Sequence, residues 1–120
     1  MRRTLVCSLL LLSLMGGRAL AHARLQTSNP PDGAVLAQAP PKLRLRFNEV
    51  VRLAGTGVEL AYPDGHWRML GPLVQDPGDV RAVVAELPAP LPPGHYMVSW
   101  RALSPDAHHT HGAFAFTIGR

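Results

Sequence analysis

The chain has 120 residues, enough for one small domain, and a formal net charge of +4. Arg2, Arg3 and Arg18 lie in the first 21 residues, and the nine basic and eight acidic residues that follow leave a net charge of +1. This near balance argues against a partner that is a nucleic acid or another polyanion. The single cysteine, Cys7, also precedes residue 22, so residues 22–120 have no disulfide and no thiolate ligand.

The first 21 residues have the pattern of a secretory signal peptide. Arg2 and Arg3 precede an apolar stretch from Leu5 to Met15, and Ala19-Leu20-Ala21 forms a small-residue cleavage site. The apolar stretch is about half the ~20 residues that a membrane-spanning helix needs. The sequence therefore predicts export, cleavage after Ala21, and a mature domain of residues 22–120.

Cleavage at this site would make His22 the first residue of the mature protein. A free N-terminal histidine can bind a metal through its α-amine and its imidazole Nδ1, which close one chelate ring. Such a bidentate nitrogen ligand suits Cu(II), which prefers nitrogen and oxygen donors in a square plane. The alternative is that cleavage falls before a histidine by coincidence.

The rest of the chain has the composition and the short apolar runs of an all-β domain. It is rich in proline and glycine, and no stretch keeps a 3.6-residue apolar period for three turns. Seven short strands with turns between them predict a two-sheet Greek-key β-sandwich or barrel. The predicted strands are Ala23 to Ser28, Lys42 to Phe47, Gly57 to Ala61, His66 to Leu70, Val80 to Glu86, Gly94 to Leu103 and Gly112 to Ile118.

Alternation within these strands indicates which side chains form the core, because neighbouring side chains point to opposite faces of a strand. The residues expected in the core on the last two strands are Tyr96, Val98, Trp100, Phe114, Phe116 and Ile118. The arginines expected on a solvated strand face are Arg44, Arg46 and Arg52. The least regular stretch, Gly71 to Gly78, is predicted to be a flexible loop.

Three histidines and an aspartate crowd the segment Ser104-Pro105-Asp106-Ala107-His108-His109-Thr110-His111-Gly112, which we predict to be a loop. In an extended segment Asp106 and His108 point the same way, so one oxygen and one nitrogen can reach a single ion. Added to the two nitrogens of His22, they would fill the plane of Cu(II), whereas zinc prefers a tetrahedron. A polar loop that is rich in histidine by chance is the alternative.

Several motifs together resemble the CopC family of periplasmic copper-binding proteins, over nearly all of residues 22–120. They are His22-Ala23-Arg24-Leu25, Ser28-Asn29-Pro30-Pro31-Asp32-Gly33, Leu43-Arg44-Leu45-Arg46-Phe47-Asn48-Glu49, Gly94-x-Tyr96-x-Val98-x-Trp100-Arg101, Ser104-x-Asp106-x-His108 and Gly112-x-Phe114-x-Phe116. The resemblance implies a seven-stranded Greek-key β-barrel or sandwich that binds Cu(II).

The resemblance also implies roles for particular residues. His22 would give its amine and Nδ1, His108 an imidazole nitrogen and Asp106 a carboxylate oxygen to one Cu(II) per mature chain. Glu49 would lie near the copper and orient a ligand or a water molecule, or would be an ordinary exposed carboxylate at a strand end. The implied protein is a monomer that carries or buffers copper, with an inner-membrane, CopD-like copper transport protein as its partner.

The sequence departs from the family pattern at several positions. Many relatives have a methionine-rich Cu(I) site, but the mature chain has only Met69 and Met97, which we expect to pack rather than bind copper; the protein would thus bind Cu(II) only. Ala107 stands where relatives usually have glycine, and would be strained if that position has a positive φ. His109 and His111 are additional, and a shifted loop would let His111 replace His108.

Two other classes of function remain open. Copper-dependent lytic polysaccharide monooxygenases also bind copper through an N-terminal histidine and a second histidine. They need a flat substrate-binding face, and this short chain lacks aromatic residues to stack on sugars, so we expect no enzyme. A metal-free exported interaction module is the third class. The remaining histidines, His66 and His95, are expected on the surface.

Overall fold

The computed structural model describes residues 22–119, and the predicted signal peptide, residues 1–21, lies outside the described residues. Residues 22–119 form nine strands and no helix. Accordingly, this part of the chain contains no helix with the length and hydropathy needed to cross a bilayer. The strands are β1 (Leu25–Asn29), β2 (Ala34–Leu36), β3 (Lys42–Phe47), β4 (Arg52–Ala61), β5 (Trp67–Leu70), β6 (Val74–Asp76), β7 (Asp79–Glu86), β8 (Gly94–Leu103) and β9 (His109–Ile118).

The strands form two sheets that pack as a sandwich. One sheet has the order β1-β3-β7-β6 and the other the order β2-β9-β8-β4-β5. The short strand β2 runs parallel to β9, and the other neighbours are antiparallel. Pairs such as β3 with β7 are not consecutive in the chain, so the connections cross between the sheets. The prediction of an all-β sandwich is confirmed.

The core lies between the sheets and follows the predicted alternation. Leu43, Leu45 and Phe47 of β3 are fully buried, while the residues between them are half-buried. On β8 and β9 of the other sheet all six predicted core side chains are buried: Tyr96, Val98, Trp100, Phe114, Phe116 and Ile118. The rings of Phe47 and Trp100 meet edge to face, with centroids 5.3 Å apart, and this contact joins the two sheets.

The predicted strand boundaries need correction in four places. The structure has nine strands in place of seven, because β2 and β6 are three-residue strands at the sheet edges, too short to show alternation. The predicted loop from Gly71 to Gly78 contains β6 and was wrong there. Strand β4 begins at Arg52, five residues before the predicted start at Gly57. The prediction missed this part because a bulge before Gly57 interrupts the alternation of side chains. Strand β9 begins at His109, so His109 and His111 lie on a strand and not in a loop.

The predicted solvated arginine face holds for two of its three members. Arg44 and Arg46 lie on the outer face of β3, where each Nε is 2.7 Å from a carboxylate oxygen, of Asp76 and Asp79 respectively. These hydrogen bonds lower the pKa of both carboxyls. Arg52 lies instead on β4 in the other sheet, at the end of the sandwich where the candidate site is found.

Candidate metal centre

Three predicted site residues meet at one end of the sandwich. His22, Asp106 and His108 each have a potential ligand atom within 4.8 Å of the others. The imidazole rings of His22 and His108 lie nearly perpendicular, with centroids 5.0 Å apart. Nδ1 of His108 is 3.0 Å from Oδ2 of Asp106. His22 is half-buried and the other two are exposed, so the cluster opens to solvent on one side.

Asn48 fixes the backbone on either side of His22. Its side-chain Nδ2 donates to the carbonyl oxygen of His22 at 3.2 Å, and its Oδ1 accepts from the amide of Arg24 at 2.6 Å. The backbone amide of Asn48 also donates to the carbonyl oxygen of Arg24, at 3.0 Å. These three bonds hold the start of the described chain against the end of β3.

The other sheet holds the same segment through Thr110. Its hydroxyl on β9 donates to the carbonyl oxygen of Ala23 at 2.7 Å, and Ala23 itself is fully buried. The residues just after His22 are therefore held between the two sheets. A segment fixed in this way restricts the imidazole of His22 to a small volume next to the loop before β9, which lowers the entropy cost of binding an ion.

The loop between β8 and β9 is closed by hydrogen bonds from Ser104. The amide of Ser104 donates to the carbonyl oxygen of His108 at 2.9 Å, and the amide of Ala107 donates to that of Ser104 at 3.0 Å. The Ser104 side chain is fully buried, and its hydroxyl lies beside Oδ1 of Asp106 and 3.0 Å from the carbonyl oxygen of His108. Arg52 also donates from its guanidinium to the carbonyl oxygen of Pro105 at 2.7 Å.

Ala107 has the positive φ that its place in the family pattern, where relatives usually have glycine, suggested. Its φ is +67°, a left-handed value that disfavours a side chain with a Cβ atom. Because Asp106 precedes it and His108 follows it, this turn of the backbone brings the two potential ligands to one side of the loop. The strain expected for an alanine at this position is therefore present.

The Asp106 carboxyl is held in its charged form. The Ser104 hydroxyl, followed by the side chain and backbone of His108, lowers the pKa of Asp106 from its ordinary value to about 2. The carboxylate is therefore ionised at every pH at which this fold would work. An ionised carboxylate beside two imidazoles is a donor set that suits a first-row divalent cation.

Two buried polar atoms at this end have no hydrogen-bonding partner among residues 22–119. They are Nδ1 of His22 and Oε1 of Glu49. A buried polar atom without a partner costs about 1–3 kcal/mol, and most such atoms have a partner of some kind. Nδ1 is also the nitrogen that would close a chelate ring with the α-amine of His22. The donor set and the unpartnered atoms fit a bound metal ion.

Glu49 follows Asn48 directly and is half-buried, so it is not an ordinary exposed carboxylate. Sequence reasoning named Glu49 but missed the residues that hold the loop and the N-terminal segment. Asn48 and Ser104 fell inside the quoted motifs, yet nothing in the sequence set them apart. The contact between Thr110 and Ala23 spans 87 residues, and no local signal could have predicted it.

Four other histidines lie outside this cluster. His66 and His95 are exposed, as predicted; Nδ1 of His66 contacts Asp64, and Nδ1 of His95 is 3.3 Å from the Thr117 hydroxyl. His109 and His111 lie on β9 with exposed side chains. The structure thus groups His108, and not His111, with His22 and Asp106.

The two methionines of the described chain lie at the protein surface. Met69 is 57% and Met97 45% exposed, and the expectation that they do not bind copper stays a prediction. They lie on β5 and β8, on the outer face of the five-stranded sheet, with β4 between them. Met97 alternates with the buried residues of β8, whereas Trp67, Arg68 and Met69 of β5 are all exposed.

The fold and the cluster define a small β-sandwich domain with two histidines and an aspartate gathered at one end. Residues 25–119 match the CopC domain family. The chain belongs to the CopC family, as the resemblance in its sequence indicated.

Three relatives illustrate the similarity. Copper resistance protein C of Pseudomonas syringae pv. tomato is 34% identical over 110 residues, which cover 88% of this chain and 86% of the relative. The crystal structure of PcoC, a methionine-rich copper resistance protein from Escherichia coli, has a TM-score of 0.70 at 29% identity, covering 82% of this chain and all of that one. Copper transport protein CutJ of Bacillus subtilis is 26% identical over 112 residues, which cover 93% of this chain but 21% of CutJ.

Proposed function

We propose that the processed protein binds one Cu(II) ion through His22, Asp106 and His108 and acts in copper homeostasis, resistance or delivery in the periplasm. The observation that carries this proposal is the convergence of these three side chains, in which the buried Nδ1 of His22 has no hydrogen-bonding partner among residues 22–119. Membership of the CopC family, with relatives named for copper resistance and copper transport, supports copper as the ion.

The proposal requires that residues 1–21 are a signal peptide and that cleavage leaves His22 first. The α-amine of His22 then becomes a ligand beside Nδ1, and the two nitrogens form a chelate. With an imidazole nitrogen of His108 and an oxygen of Asp106, three nitrogens and one oxygen complete a square plane. This donor set favours Cu(II) over other first-row divalent ions, and zinc would prefer a tetrahedral arrangement.

Glu49 has a supporting role in this proposal. Its buried Oε1 has no hydrogen-bonding partner in the part of the chain that the structure describes, and its neighbour Asn48 holds the His22 backbone. We place Glu49 beside the ion, where its carboxylate orients a ligand or a bound water. Exchange of Glu49 for Gln keeps the size of the side chain and removes its charge. It should weaken Cu(II) binding without changing the number of nitrogen ligands seen by electron paramagnetic resonance.

The chain would bind Cu(II) only. A Cu(I) site built from methionine needs several thioethers around one point, since soft sulfur ligands select Cu(I). Met69 and Met97 lie on strands that β4 separates, which does not favour a shared site.

We propose a membrane copper transport protein of the CopD type as the partner of a monomeric carrier. CutJ supports this partner, because the part of CutJ similar to this chain is about a fifth of a longer copper transport protein. Because a domain similar to this chain is part of a copper transport protein in CutJ, we expect this chain to act together with such a transporter.

Binding, rather than catalysis, is the proposed activity. Asp106 would occupy a position in the copper plane, which leaves less room for oxygen than a monooxygenase needs. Ascorbate-driven oxygen consumption by the copper-loaded protein should therefore not exceed that of the His108→Ala variant.

Intact-mass measurement of the exported protein, with and without Cu(II), tests the proposal most directly. The expected mass is that of residues 22–120, and the first tight copper adduct should hold one ion. A protein that begins at another residue, or that forms no copper adduct under native conditions, would contradict the proposal.

A further inference from the structure

The additional histidines His109 and His111 lie on one face of a regular strand. They belong to the first part of β9, and both side chains are exposed, while Thr110 between them points the other way and is half-buried. Thr110 is committed to the N-terminal segment through its bond to Ala23. The two histidines therefore point away from the cluster formed by His22 and its partners.

The spacing of this pair suits chelation of a metal ion. Residues i and i+2 of a strand are about 6.6–6.8 Å apart along the chain, and their side chains stand side by side on the same face. Imidazole nitrogens bind metals at about 2.0 Å, so two rings at this spacing can incline toward each other and share one ion. An imidazole pair is a donor set for Cu(II), Ni(II) and Zn(II).

The other exposed histidines differ from this pair in a way that matters for binding. Nδ1 of His66 is paired with Asp64, and that of His95 contacts the Thr117 hydroxyl. Within residues 22–119, neither His109 nor His111 has a comparable side-chain hydrogen bond. Both rings are thus able to turn toward an ion without first losing a partner.

The neighbouring strand indicates how tightly such a pair would bind. On β8, Arg101 lies directly opposite His111, and Leu103 lies opposite His109. Arg101 is exposed, and its positive charge next to the pair repels a dication. Neither cross-strand neighbour offers an additional ligand. The pair should therefore bind a metal ion more weakly than a site with a carboxylate and a chelating N-terminus.

We propose that His109 and His111 form a second, surface metal site that holds a Cu(II) ion through two imidazole nitrogens, with water molecules as the remaining ligands. This site is separate from the centre at His22 and does not depend on it. It would give the processed protein the capacity for a second, readily exchanged ion when copper exceeds one equivalent.

Titration of the processed protein with Cu(II), followed by calorimetry and electron paramagnetic resonance, tests this site. The first equivalent should bind tightly and a second should bind more weakly, with two nitrogen ligands. His109→Ala and His111→Ala should each weaken only the second equivalent, by roughly tenfold or more, since the chelate becomes a single imidazole. Arg101→Ala should strengthen it, because the opposing charge is removed.

Two controls separate this site from the alternatives. His66→Ala removes another exposed histidine and should leave the second equivalent unchanged. A form that retains Ala21 lacks the N-terminal chelate but should still bind an ion at His109 and His111, so failure of the primary centre is distinguished from failure of this site. A wild-type protein with no second equivalent, or a second equivalent that survives in the His109→Ala/His111→Ala variant, would overturn the proposal.

Discussion

Two turns of this domain have the same pattern of backbone hydrogen bonds and a similar sequence, yet only one of them is part of the candidate centre. Residues 62–66 and residues 104–108 both contain Pro-Asp-x-His. In the first turn the amide of Tyr62 is 2.8 Å from the carbonyl oxygen of His66, and that of Gly65 is 2.9 Å from the carbonyl oxygen of Tyr62. The corresponding distances in the second turn are 2.9 Å and 3.0 Å.

Each turn also pairs its aspartate with its histidine through Nδ1 of the ring, in Asp64 with His66 and in Asp106 with His108. The surroundings differ. The ring of His66 stacks on Tyr62, with centroids 4.1 Å apart, whereas that of His108 meets the ring of His22. A local motif thus supplies two potential ligands, and a residue distant in the sequence decides whether a three-residue cluster forms.

The two turns also differ in their first residue, which is Ser104 in one and Tyr62 in the other. Ser104 begins the turn at the centre and is fully buried, and its hydroxyl is the main cause of the lowered pKa of Asp106. The pKa of Asp64 is also lowered, but mainly by hydrogen bonds from the backbone and ring of His66. Ser104 therefore fixes the Asp106 carboxylate from inside the fold, while Asp64 is held only by its own turn.

The largest expected effect comes from blocking the N-terminus, which tests whether His22 is what distinguishes the two turns. A protein that retains Ala21 has an amide in place of the α-amine and cannot form the chelate ring. Its Cu(II) affinity should fall on the order of a hundredfold or more relative to the protein that begins at His22. Competition with a Cu(II) chelator of known affinity measures the change. Equal affinities would contradict the chelate.

Acidification should release copper from the centre, because protons compete with the metal for the nitrogen ligands. Imidazole and α-amino groups have ordinary pKa values of about 6.5 and 7.7–8.0, so protons compete with the metal as the pH falls. Affinity should decrease by more than about tenfold per pH unit where two or more protons compete. The dissociation constant is measured from pH 7 to pH 5. A value that did not change over this range would contradict a site of histidine and amine ligands.

Asp106 supplies the control for this pH dependence. Because its pKa is lowered to about 2, the carboxylate stays ionised throughout that range and adds nothing to the slope. Its contribution to affinity is complete at neutral pH and is lost only as the pH falls toward 2. Asp106→Asn should therefore bind Cu(II) more weakly with the same slope between pH 5 and pH 7. A flatter slope would mean that Asp106 titrates in this range.

Matched substitutions in the two turns test the role of the loop residues. His108→Ala should weaken Cu(II) binding by roughly tenfold to a hundredfold and remove one nitrogen from the electron paramagnetic resonance signal. Asp106→Ala should have a smaller effect, because an oxygen from water can replace the carboxylate. His66→Ala and Asp64→Ala make the same changes in the other turn and should leave binding unchanged. Loss of the nitrogen signal in His111→Ala, but not in His108→Ala, would show that His111 and not His108 binds the copper.

The sequence predicted the elements whose side chains alternate and missed those held by single polar contacts. Alternation in β3, β8 and β9 identified the core, since burial of one strand face requires a period of two. Strand β6 carries no such pattern, because it lies at a sheet edge and Asp76 is held by Arg44. A local pattern cannot report an ion pair across 32 residues.

The candidate centre divides in the same way. Asp106 and His108 were predicted as a pair from an extended segment, but Ala107 between them has a φ of +67°, so the pair forms in a tight turn and the predicted reason was wrong. His22 was predicted from the cleavage site rather than from any contact with the loop. The bonds that bring His22 to the loop come from Asn48 and Thr110, and both join segments far apart in the chain.

The smallest expected effect tests whether the two turns are energetically equivalent. Gly65 has a φ of +92° and Ala107 one of +67°, so the corresponding position is left-handed in both turns. Ala107→Gly should raise the free energy of unfolding of the metal-free protein by about 0.5–1 kcal/mol, because it relieves the strain on the Cβ atom. Gly65→Ala should lower it by a similar amount, since a Cβ atom there meets nothing within 4 Å and only the backbone is strained.

Urea denaturation at neutral pH measures both changes under the same conditions. Opposite signs are expected, because one substitution removes a strained Cβ atom and the other adds one. The Cu(II) affinity of Ala107→Gly should stay within roughly twofold of the parent, since Gly65 supports the same pairing of aspartate and histidine in the other turn. If Ala107→Gly instead lowered both stability and affinity, the alanine would be holding the ligands in place. The position of His22 next to residues 104–108 would then not be the main difference between the two turns.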